Sequence, residues 1–410
     1  MGRKERHLVG LDLGTSKVAA IVGEVMGNGE VEIIGLGVAD SQGIRRGAVV
    51  NQEAAVESIR KAIEAAELTA GVEIDNAYLA LSGMHIKGFN SRGVVAVAGK
   101  NREITRDDVR RAIDAARAVS LPGGREILHV LPQDFVVDDE DGIGNPIGMN
   151  GSRLEVNVHI ITGGTTTTQN IKACVNKAGV NVQEYVLEQL AASEAVLTAD
   201  EKELGVALVD IGGGTTDVAI FERGCLWHTA VVPIGGDHFT NDIAVGLRMP
   251  IPEAEKLKRK CGCALSAMVG DDESMDVASV GGRSPRTMAR RILSEVLQPR
   301  AEEMFHLVWD EIHRAGYEKS LNSGIVLTGG AANLEGMTEI AEQIFDLPVR
   351  RGSPSGIGGL ADHVSNPSFA TAVGLLLRAH RQHKQDANHS SSRGIGRLTD
   401  LVKGVFKEFF

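Results

Sequence analysis

Residues 206–220 read VALVDIGGGTTDVAI, and residues 7–21 read HLVGLDLGTSKVAAI. In both stretches an apolar run leads to an aspartate, then to a turn of glycine and threonine, and then to a second apolar run. Two apolar runs joined by so short a turn predict a β-hairpin. Because the same unit occurs twice, about half a chain apart, we expect two lobes of related structure.

The composition narrows the class of protein. A chain of 410 residues with a hydrophobic fraction of 43% can form two or more globular domains. The net charge of −11 argues against a nucleic-acid partner, which usually requires a basic face. Cys261 and Cys263 are the only close pair of cysteines, and without a second pair they predict no zinc site. No apolar run approaches the length of a membrane span.

The rest of the chain alternates between helical and strand patterns, which indicates an α/β fold. Asn51 is a plausible N-cap for a helical pattern, and Thr105 and Asp108 approximate a capping box at the start of a second helix. This second helix and strands over 133–137 and 154–161 predict a compact α+β subdomain inserted in the first lobe.

In the second lobe the periodicity predicts a helix over 286–313. Residues 381–394, RQHKQDANHSSSRG, contain almost nothing that could enter a core and predict a flexible linker.

The two turns suit phosphate binding. Hairpin tips made of glycine and small hydroxyl residues expose backbone N–H groups, and two facing tips can hold a triphosphate. Asp12 and Asp210 end the first strand of each hairpin and suit Mg²⁺ held largely through water, while Lys17 would add positive charge. Neither turn fits a P-loop or a Rossmann motif. The residues assigned to the phosphates are Gly14, Thr15, Ser16, Gly212, Gly213, Gly214 and Thr215.

Five motifs, in order along the chain, resemble those of the actin/Hsp70/sugar-kinase ATPase superfamily. VGLDLGTSK and VALVDIGGGTTD resemble the two phosphate motifs, and IVLTGGAANLEG at 325–336 resembles the adenosine motif. Glu188 followed by QLAAS resembles the first connection between the lobes, and ATAVG at 370–374 the second. The resemblance implies an actin-like ATPase fold, with two lobes of related βα topology around a cleft for ATP and Mg²⁺.

The same resemblance implies roles for further residues. Glu188 would position the attacking water, although an ordinary carboxylate at a strand end remains an alternative. In the chaperone branch, a pair like Glu255 and Lys258 contacts the adenosine; a surface helix pair is the alternative. The residues expected near the nucleotide at the adenosine motif are Gly329, Gly330 and Ala331.

Within the superfamily, the chain resembles the FtsA family of bacterial cell-division actins. SVGGRSPRTMARR at 279–291 and the run from ELGVALVDIGGG to VVPIGGDHFTNDIA carry this resemblance. It implies a filament former at the division septum, peripheral on the cytoplasmic side of the inner membrane. Such a protein tethers filaments of the tubulin-like FtsZ, helps to assemble the Z ring and recruits later division proteins, here expected through 84–162.

The resemblance also implies a division of the chain into subdomains and tails. Those expected are a first-lobe core over 1–83, 163–198 and 355–380; an inserted subdomain over 84–162; a second-lobe core over 199–226 and 309–354; an outer subdomain over 227–308; the linker; and a terminal helix over 395–410.

The outer subdomain is where this family contacts FtsZ. A dense group of arginines there would suit an acidic segment such as the FtsZ C-terminal peptide, although a solvated helix face is the alternative. The arginines are Arg283, Arg286, Arg290 and Arg291.

The end of the chain has the pattern of an amphipathic helix. Apolar side chains recur at helical spacing over 395–410, and lysines lie on the other side, as in helices that insert into a membrane interface. Docking on the protein's own body or on a partner is the alternative. The residues expected to enter the bilayer are Leu398, Leu401, Val402, Val405, Phe406, Phe409 and Phe410.

Three other functions share this fold. A small-molecule kinase would need a substrate base and no amphipathic tail, and a chaperone ATPase would need a large peptide-binding domain after the lobes. An actin-like protein of pilus assembly is closer, but the terminal helix argues against it. Whether the protein is an enzyme stays open; we expect binding of ATP with at most slow hydrolysis.

Overall fold

The computed structural model describes residues 7–99, 101–278 and 284–390, with side chains as far as Lys384. Both predicted hairpins are present. In the first, His7–Leu13 pairs antiparallel with Lys17–Val25, so that Asp12 lies opposite Ala19. In the second, Val206–Ile211 pairs antiparallel with Thr216–Glu222. The repeat in the sequence therefore corresponds to a repeat in the structure.

Each hairpin belongs to a larger mixed sheet. The first sheet has six strands, in the order Asn181–Leu187, Asn76–Leu81, His7–Leu13, Lys17–Val25, Val31–Asp40 and Gly358–Gly359. The second has five, in the order Cys225–Val232, Thr216–Glu222, Val206–Ile211, Ile325–Thr328 and Val349–Arg351. The strand Cys225–Val232 crosses the boundary that we predicted at residue 227 and belongs mainly to this sheet.

A third sheet occupies the stretch 84–162 and extends to Gly164. Its strand order is Lys87–Ala96, Arg153–Gly164, Arg125–Val137 and Glu140–Ile143. The helix Arg106–Arg117 covers it and begins with the predicted capping box of Thr105 and Asp108. This sheet and helix have a hydrophobic core of their own, which includes Phe135. Two short ribbons complete the strands: Ile44–Arg45 with Ala48–Val49, and Ser274–Val277 with Arg286–Ala289.

Helices cover the two large sheets. Gln52–Ala70 starts at the predicted N-cap Asn51, whose side chain accepts the N–H of Ala54. The other helices are Thr165–Lys177, Glu188–Val196, Ala199–Leu204, Gly236–Gly246, Ile251–Cys261, Arg290–Ala315, Met337–Phe345, Ala361–Val364 and Ala370–Ser390, with single 3₁₀ turns at Ser266–Met268, Gly330–Asn333 and Pro367–Phe369.

Two predictions for the second half of the chain are corrected. The helix predicted from residue 286 starts at Arg290, because Arg286–Ala289 pairs as a strand with Ser274–Val277. The flexible linker predicted over 381–394 is wrong for residues 381–390, which continue the helix Ala370–Ser390.

The polar side chains of this segment are held by the first lobe rather than by a core. Arg381 pairs with Glu194, Gln382 Nε2 donates to Glu184 at 3.0 Å, and Lys384 Nζ donates to the Gly29 carbonyl at 3.0 Å. Residues 391–394 and the terminal helix predicted over 395–410 lie outside the described residues.

Candidate functional site

The tips of the two hairpins face each other. A Cβ atom added at Gly213 would collide with Ser16 Oγ, and one added at Gly214 would lie 2.8 Å from Thr15 Oγ1. The close approach requires glycine on the second tip, since any side chain would push the two tips apart. The facing geometry that the sequence motifs predict is therefore present.

A cleft of about 720 Å³ opens beside the facing tips. Most of the predicted nucleotide residues line it, but Gly214 and Thr215 do not: Gly214 packs against the first tip, and the buried Thr215 hydroxyl donates to Asp217. The predicted residues that line the cleft are Asp12, Gly14, Thr15, Ser16, Lys17, Glu188, Asp210, Gly212, Gly213, Glu255, Lys258, Gly329, Gly330 and Ala331.

Buried carboxyl groups concentrate at the floor of the cleft. Burial, together with the charges of Asp217 and Asp12, raises the pKa of Asp210 to about 8. Burial raises the pKa of Asp12 to about 6, against the opposing charge of Lys17. Burial and the charges of Asp210 and Asp12 hold the pKa of Glu188 well above its usual range. The floor therefore has more carboxyl groups than nearby positive charge can balance.

This excess of carboxyl groups fits a cation that is held mainly through water. Within residues 7–99, 101–278 and 284–390, no three Asp, Glu, His or Cys side chains are grouped so that they could hold a metal ion directly. A Mg²⁺ ion that keeps most of its waters needs only one or two carboxylates. Asp12 and Asp210 fit that requirement.

The ammonium group of Lys17 lies in the cleft and contacts two residues that the sequence did not predict as its partners. Its Nζ donates to Ser368 Oγ at 2.9 Å and lies 3.5 Å from the centre of the Phe369 ring. Burial lowers the pKa of Lys17 to about 8, although the carboxylates of Asp12 and Asp210 oppose this change. A phosphate in the cleft would offer Lys17 a stronger partner than a hydroxyl group does.

Glu255 and Lys258 lie on the opposite wall, on the helix Ile251–Cys261. Lys258 Nζ is 2.7 Å from Glu255 Oε2 and donates to the Gly236 carbonyl at 2.8 Å. Burial disfavours the charge of Glu255, but Lys258 and hydrogen bonds from Lys258, Thr240 and Arg259 lower its pKa to about 2. Both side chains line the cleft.

The adenosine motif approaches the carboxyl cluster through one glycine. Gly329 has a φ of +86°, and a Cβ atom there would collide with Asp210 Oδ1. The turn therefore needs glycine both for its backbone conformation and for the space beside Asp210. The Thr371 hydroxyl, from the second connection, lies 3.4 Å from Asp210 Oδ2 and 3.5 Å from Glu188 Oε1 and can donate its one proton to either.

Several lining residues were not assigned to the nucleotide from the sequence, although Asn333 and Leu334 lie within the adenosine motif at 325–336. The others come from segments distant in the sequence that only the fold brings to the cleft. The unassigned residues include Gly236, Asp237, Arg259, Lys260, Arg290, Asn333, Leu334, Asn366, Ser368 and Phe369. A buried hydrogen bond lies behind the floor of the cleft: Gln189 Nε2 donates to Asp217 Oδ1 at 2.8 Å.

The predicted arginine patch is not an uncompensated basic surface in the part of the chain that the structure describes. Arg290 pairs with Glu273 at 2.7 Å and with Glu335, and its side chain is 18% exposed at the rim of the cleft. Arg291 pairs with Asp271 at 2.5 Å. Arg286 Nη2 donates to the Leu247 carbonyl at 2.8 Å, and Arg283 lies outside the described residues.

The raised pKa of Asp210 predicts how stability changes with pH. Between about pH 4 and pH 8 the unfolded chain releases this proton while the folded protein keeps it, so the free energy of unfolding of the ligand-free protein should fall as the pH rises. Each pH unit across this window costs about 1 kcal/mol. Urea unfolding at pH 5, 6, 7 and 8 should show a steeper decline for the wild type than for Asp210→Asn. Parallel declines of the two proteins would contradict the raised pKa of Asp210.

Family models match two parts of this chain. Residues 207–374 match the model described as cell division protein FtsA, and residues 83–162 match the one described as the SHS2 domain inserted in FtsA. The chain is 50% identical over 403 residues to cell division protein FtsA of Pseudomonas aeruginosa, covering 98% of this chain and 96% of that protein. It is 43% identical over 383 residues to cell division protein FtsA of Escherichia coli K12, covering 92% and 91%.

Solved structures with low sequence identity share the fold. The PilM–PilN type IV pilus biogenesis complex matches with a TM-score of 0.67 at 17% identity, covering 91% of this chain and 98% of that chain. MreB5 of Spiroplasma citri bound to AMPPNP matches with a TM-score of 0.56 at 17% identity, covering 95% and 99%. These matches confirm the predicted actin-like α/β fold.

Proposed function

Because the chain belongs to the FtsA family of cell division proteins, whose known role is to tether FtsZ, we propose that it binds Mg-ATP between its lobes and forms filaments. On the inner face of the cytoplasmic membrane, these filaments tether FtsZ at the division septum. The helix predicted over 395–410 provides the membrane contact, and the subdomain over 84–162 receives later division proteins.

One observation carries the nucleotide part of this proposal. Two facing hairpin tips border a cleft of about 720 Å³ whose floor holds the buried carboxyls of Asp12 and Asp210. Backbone N–H groups suit phosphate oxygens, and the carboxylates suit a hydrated Mg²⁺ ion. The nucleotide named for the MreB5 structure of the same fold agrees with this assignment.

The residues of the cleft have separate tasks in this proposal. Mg²⁺ bound there would neutralise the charge of the phosphates. Lys17 exchanges Ser368 for a phosphate oxygen, and Glu255 and Lys258 contact the adenosine side. Glu188 orients a water molecule and, with its raised pKa, is ready to hold a proton. Fast hydrolysis is not needed in this proposal, and we expect it to be slow. ATP can favour a closed conformation that polymerises simply by binding that conformation more tightly.

In this proposal, membrane contact comes from a surface-binding element. Among the described residues, every helix is too short or too polar to cross a bilayer. The amphipathic pattern over 395–410 predicts a helix of the kind that lies in the membrane interface.

The experiment that tests tethering is co-sedimentation of FtsZ with liposomes in the presence of this protein. Sedimentation of FtsZ should require the whole chain and increase with ATP. FtsZ that stays in the supernatant would overturn the tethering function.

The arginines give a separate prediction for the FtsZ peptide. Reversing Arg286 and Arg291 to glutamate should weaken binding of the isolated FtsZ C-terminal peptide about tenfold or more, because an acidic segment would meet negative charge. Arg290 is left intact, since it lines the ATP cleft. The measurement is peptide fluorescence anisotropy, with ATP affinity measured in parallel.

The control is a charge reversal at the other end of the helix that contains Arg291. The side chain of Arg314 is 71% exposed and pairs with Glu311 inside the helix Arg290–Ala315. Arg314→Glu should leave peptide affinity within about twofold, as is usual for exposed ion pairs. If the double variant and the control behave alike, the peptide binds elsewhere.

A further inference from the structure

The inserted subdomain contacts the first lobe at the residue that precedes Glu188. His129 lies on the strand Arg125–Val137 of this subdomain, and its side chain is buried. Its Nε2 accepts a hydrogen bond from the backbone N–H of Leu187 at 3.1 Å. Leu187 is the last residue of the strand Asn181–Leu187 and the N-cap of the helix that begins with Glu188. A side chain from another subdomain therefore holds the start of that helix.

Leu187 needs an acceptor at this place. Its strand is the outermost of the six-stranded sheet, so one edge of the strand has no sheet neighbour. The residue is only 1% exposed, which leaves water little access to its N–H group. A buried N–H group without a partner is strongly disfavoured. Nε2 of His129 can accept this bond only in the neutral tautomer that carries the proton on Nδ1.

The same helix start is held from two other directions. Thr371 of the second connection donates to Glu188 Oε1 at 3.5 Å. Gln189, the next residue, donates to Asp217 of the second lobe at 2.8 Å. Three consecutive residues, 187–189, are thus hydrogen-bonded to the inserted subdomain, the second connection and the second lobe in turn, with the Glu188 carboxyl group in the middle.

We propose that His129 is a positioning residue for ATP hydrolysis, which holds the Leu187 amide and thereby aims the Glu188 carboxyl group at the attacking water. This rests on the proposed role of Glu188. In that reaction the water oxygen bonds to the γ-phosphorus as the bond to the β–γ bridging oxygen breaks, which yields ADP, phosphate and a proton. Any ligand that shifts the inserted subdomain would then change the rate of hydrolysis through His129.

The test compares two substitutions in the full-length protein. His129→Leu removes the acceptor, whereas His129→Gln offers an amide oxygen close to the position of Nε2. In single-turnover reactions with Mg-ATP, His129→Leu should lower the rate constant about tenfold or more, as small misplacements of a catalytic group do. Its ATP affinity by calorimetry should stay within about twofold. His129→Gln should recover most of the rate.

Two controls separate this proposal from simpler explanations. His159 is another buried histidine of the same sheet, but its Nε2 lies 2.9 Å from Thr229 Oγ1 and not at the cleft. If His159→Leu lowers the rate as much as His129→Leu does, or if His129→Leu loses ATP affinity to the same extent as rate, the effect is structural and the proposal is overturned. An unchanged rate in His129→Leu also overturns it.

The role of Glu188 is tested separately. If Glu188→Ala hydrolyses ATP like the wild type, or if the wild type binds ATP and leaves it intact, the proposed role of Glu188 fails and the role of His129 fails with it. If Glu188→Ala is slow while both His129 variants are fast, only the inference about His129 fails.

Discussion

Replacing Asp210 by alanine should raise the dissociation constant of Mg-ATP about 100-fold or more. Asp210 is 3% exposed at the end of the first strand of the second hairpin, and it is one of the two carboxyls proposed to hold Mg²⁺. The variant loses that carboxylate and leaves the phosphates facing the remaining acidic groups. Isothermal titration calorimetry at pH 8, where the carboxylate is substantially ionised, provides the measurement.

The magnesium dependence distinguishes a metal site from a general packing defect. In EDTA the wild type should bind ATP weakly, and Asp210→Ala should differ from it much less, because the lost interaction is with the cation. Asp200→Ala removes the same charge from an exposed position in the second lobe and should bind Mg-ATP like the wild type. Unchanged affinity in Asp210→Ala would show that the nucleotide site has been assigned wrongly.

Replacing Phe406 by glutamate should reduce binding to liposomes below about a tenth of the wild-type level. The substitution removes an apolar contribution of at most about 1.5–3 kcal/mol and puts a charge on the apolar side of the predicted helix. Gly404→Glu adds the same charge on the polar side, since residues two positions apart in a helix point in nearly opposite directions, and is the matched control. Co-sedimentation with anionic liposomes measures both variants. Calorimetry should give both of them wild-type ATP affinity.

We expect a large effect because a single tail should bind weakly. The predicted helix has seven large apolar side chains assigned to the bilayer, but ordering its sixteen residues costs about 1–2 kcal/mol of backbone entropy each. Its charges also largely cancel, since Arg397, Lys403 and Lys407 are offset by Asp400 and Glu408. Partial burial therefore leaves only a small net gain for each tail.

A filament changes this balance because it presents many tails to one surface, so each later insertion is effectively intramolecular. Binding should be cooperative in protein concentration and stronger with ATP. A single-site isotherm that is the same with and without ATP would show that the tails anchor monomers independently.

Local patterns in the sequence were sufficient for the elements that position the cleft. Apolar runs around an aspartate and a glycine turn predicted both hairpins, because a strand and a tight turn depend on neighbouring residues. Asn51 and Thr105 marked helix starts for the same reason, since a cap acts within one turn. The two turns and the motif resemblance then identified nearly half of the residues that line the cleft.

Contacts between distant residues were decided only by the tertiary structure. Lys17 rests on Ser368 and Phe369, 351 and 352 positions away, and no local pattern encodes such a meeting. Arg290 looked like part of a basic patch, yet Glu273 and Glu335 fold against it and neutralise its charge.

Contacts between distant residues also explain why the sequence predicted a linker from residue 381 and did not predict the hydrogen bond between His129 and Leu187. The polar segment from Arg381 reads as a linker, but the first lobe offers Glu194 and Glu184 as partners and the helix continues to Ser390. His129 and Leu187 are 58 residues apart, and they meet only because the inserted sheet packs beside the edge of the first one. A sequence shows which groups can form hydrogen bonds, whereas the packing of its sheets decides which of them come within reach.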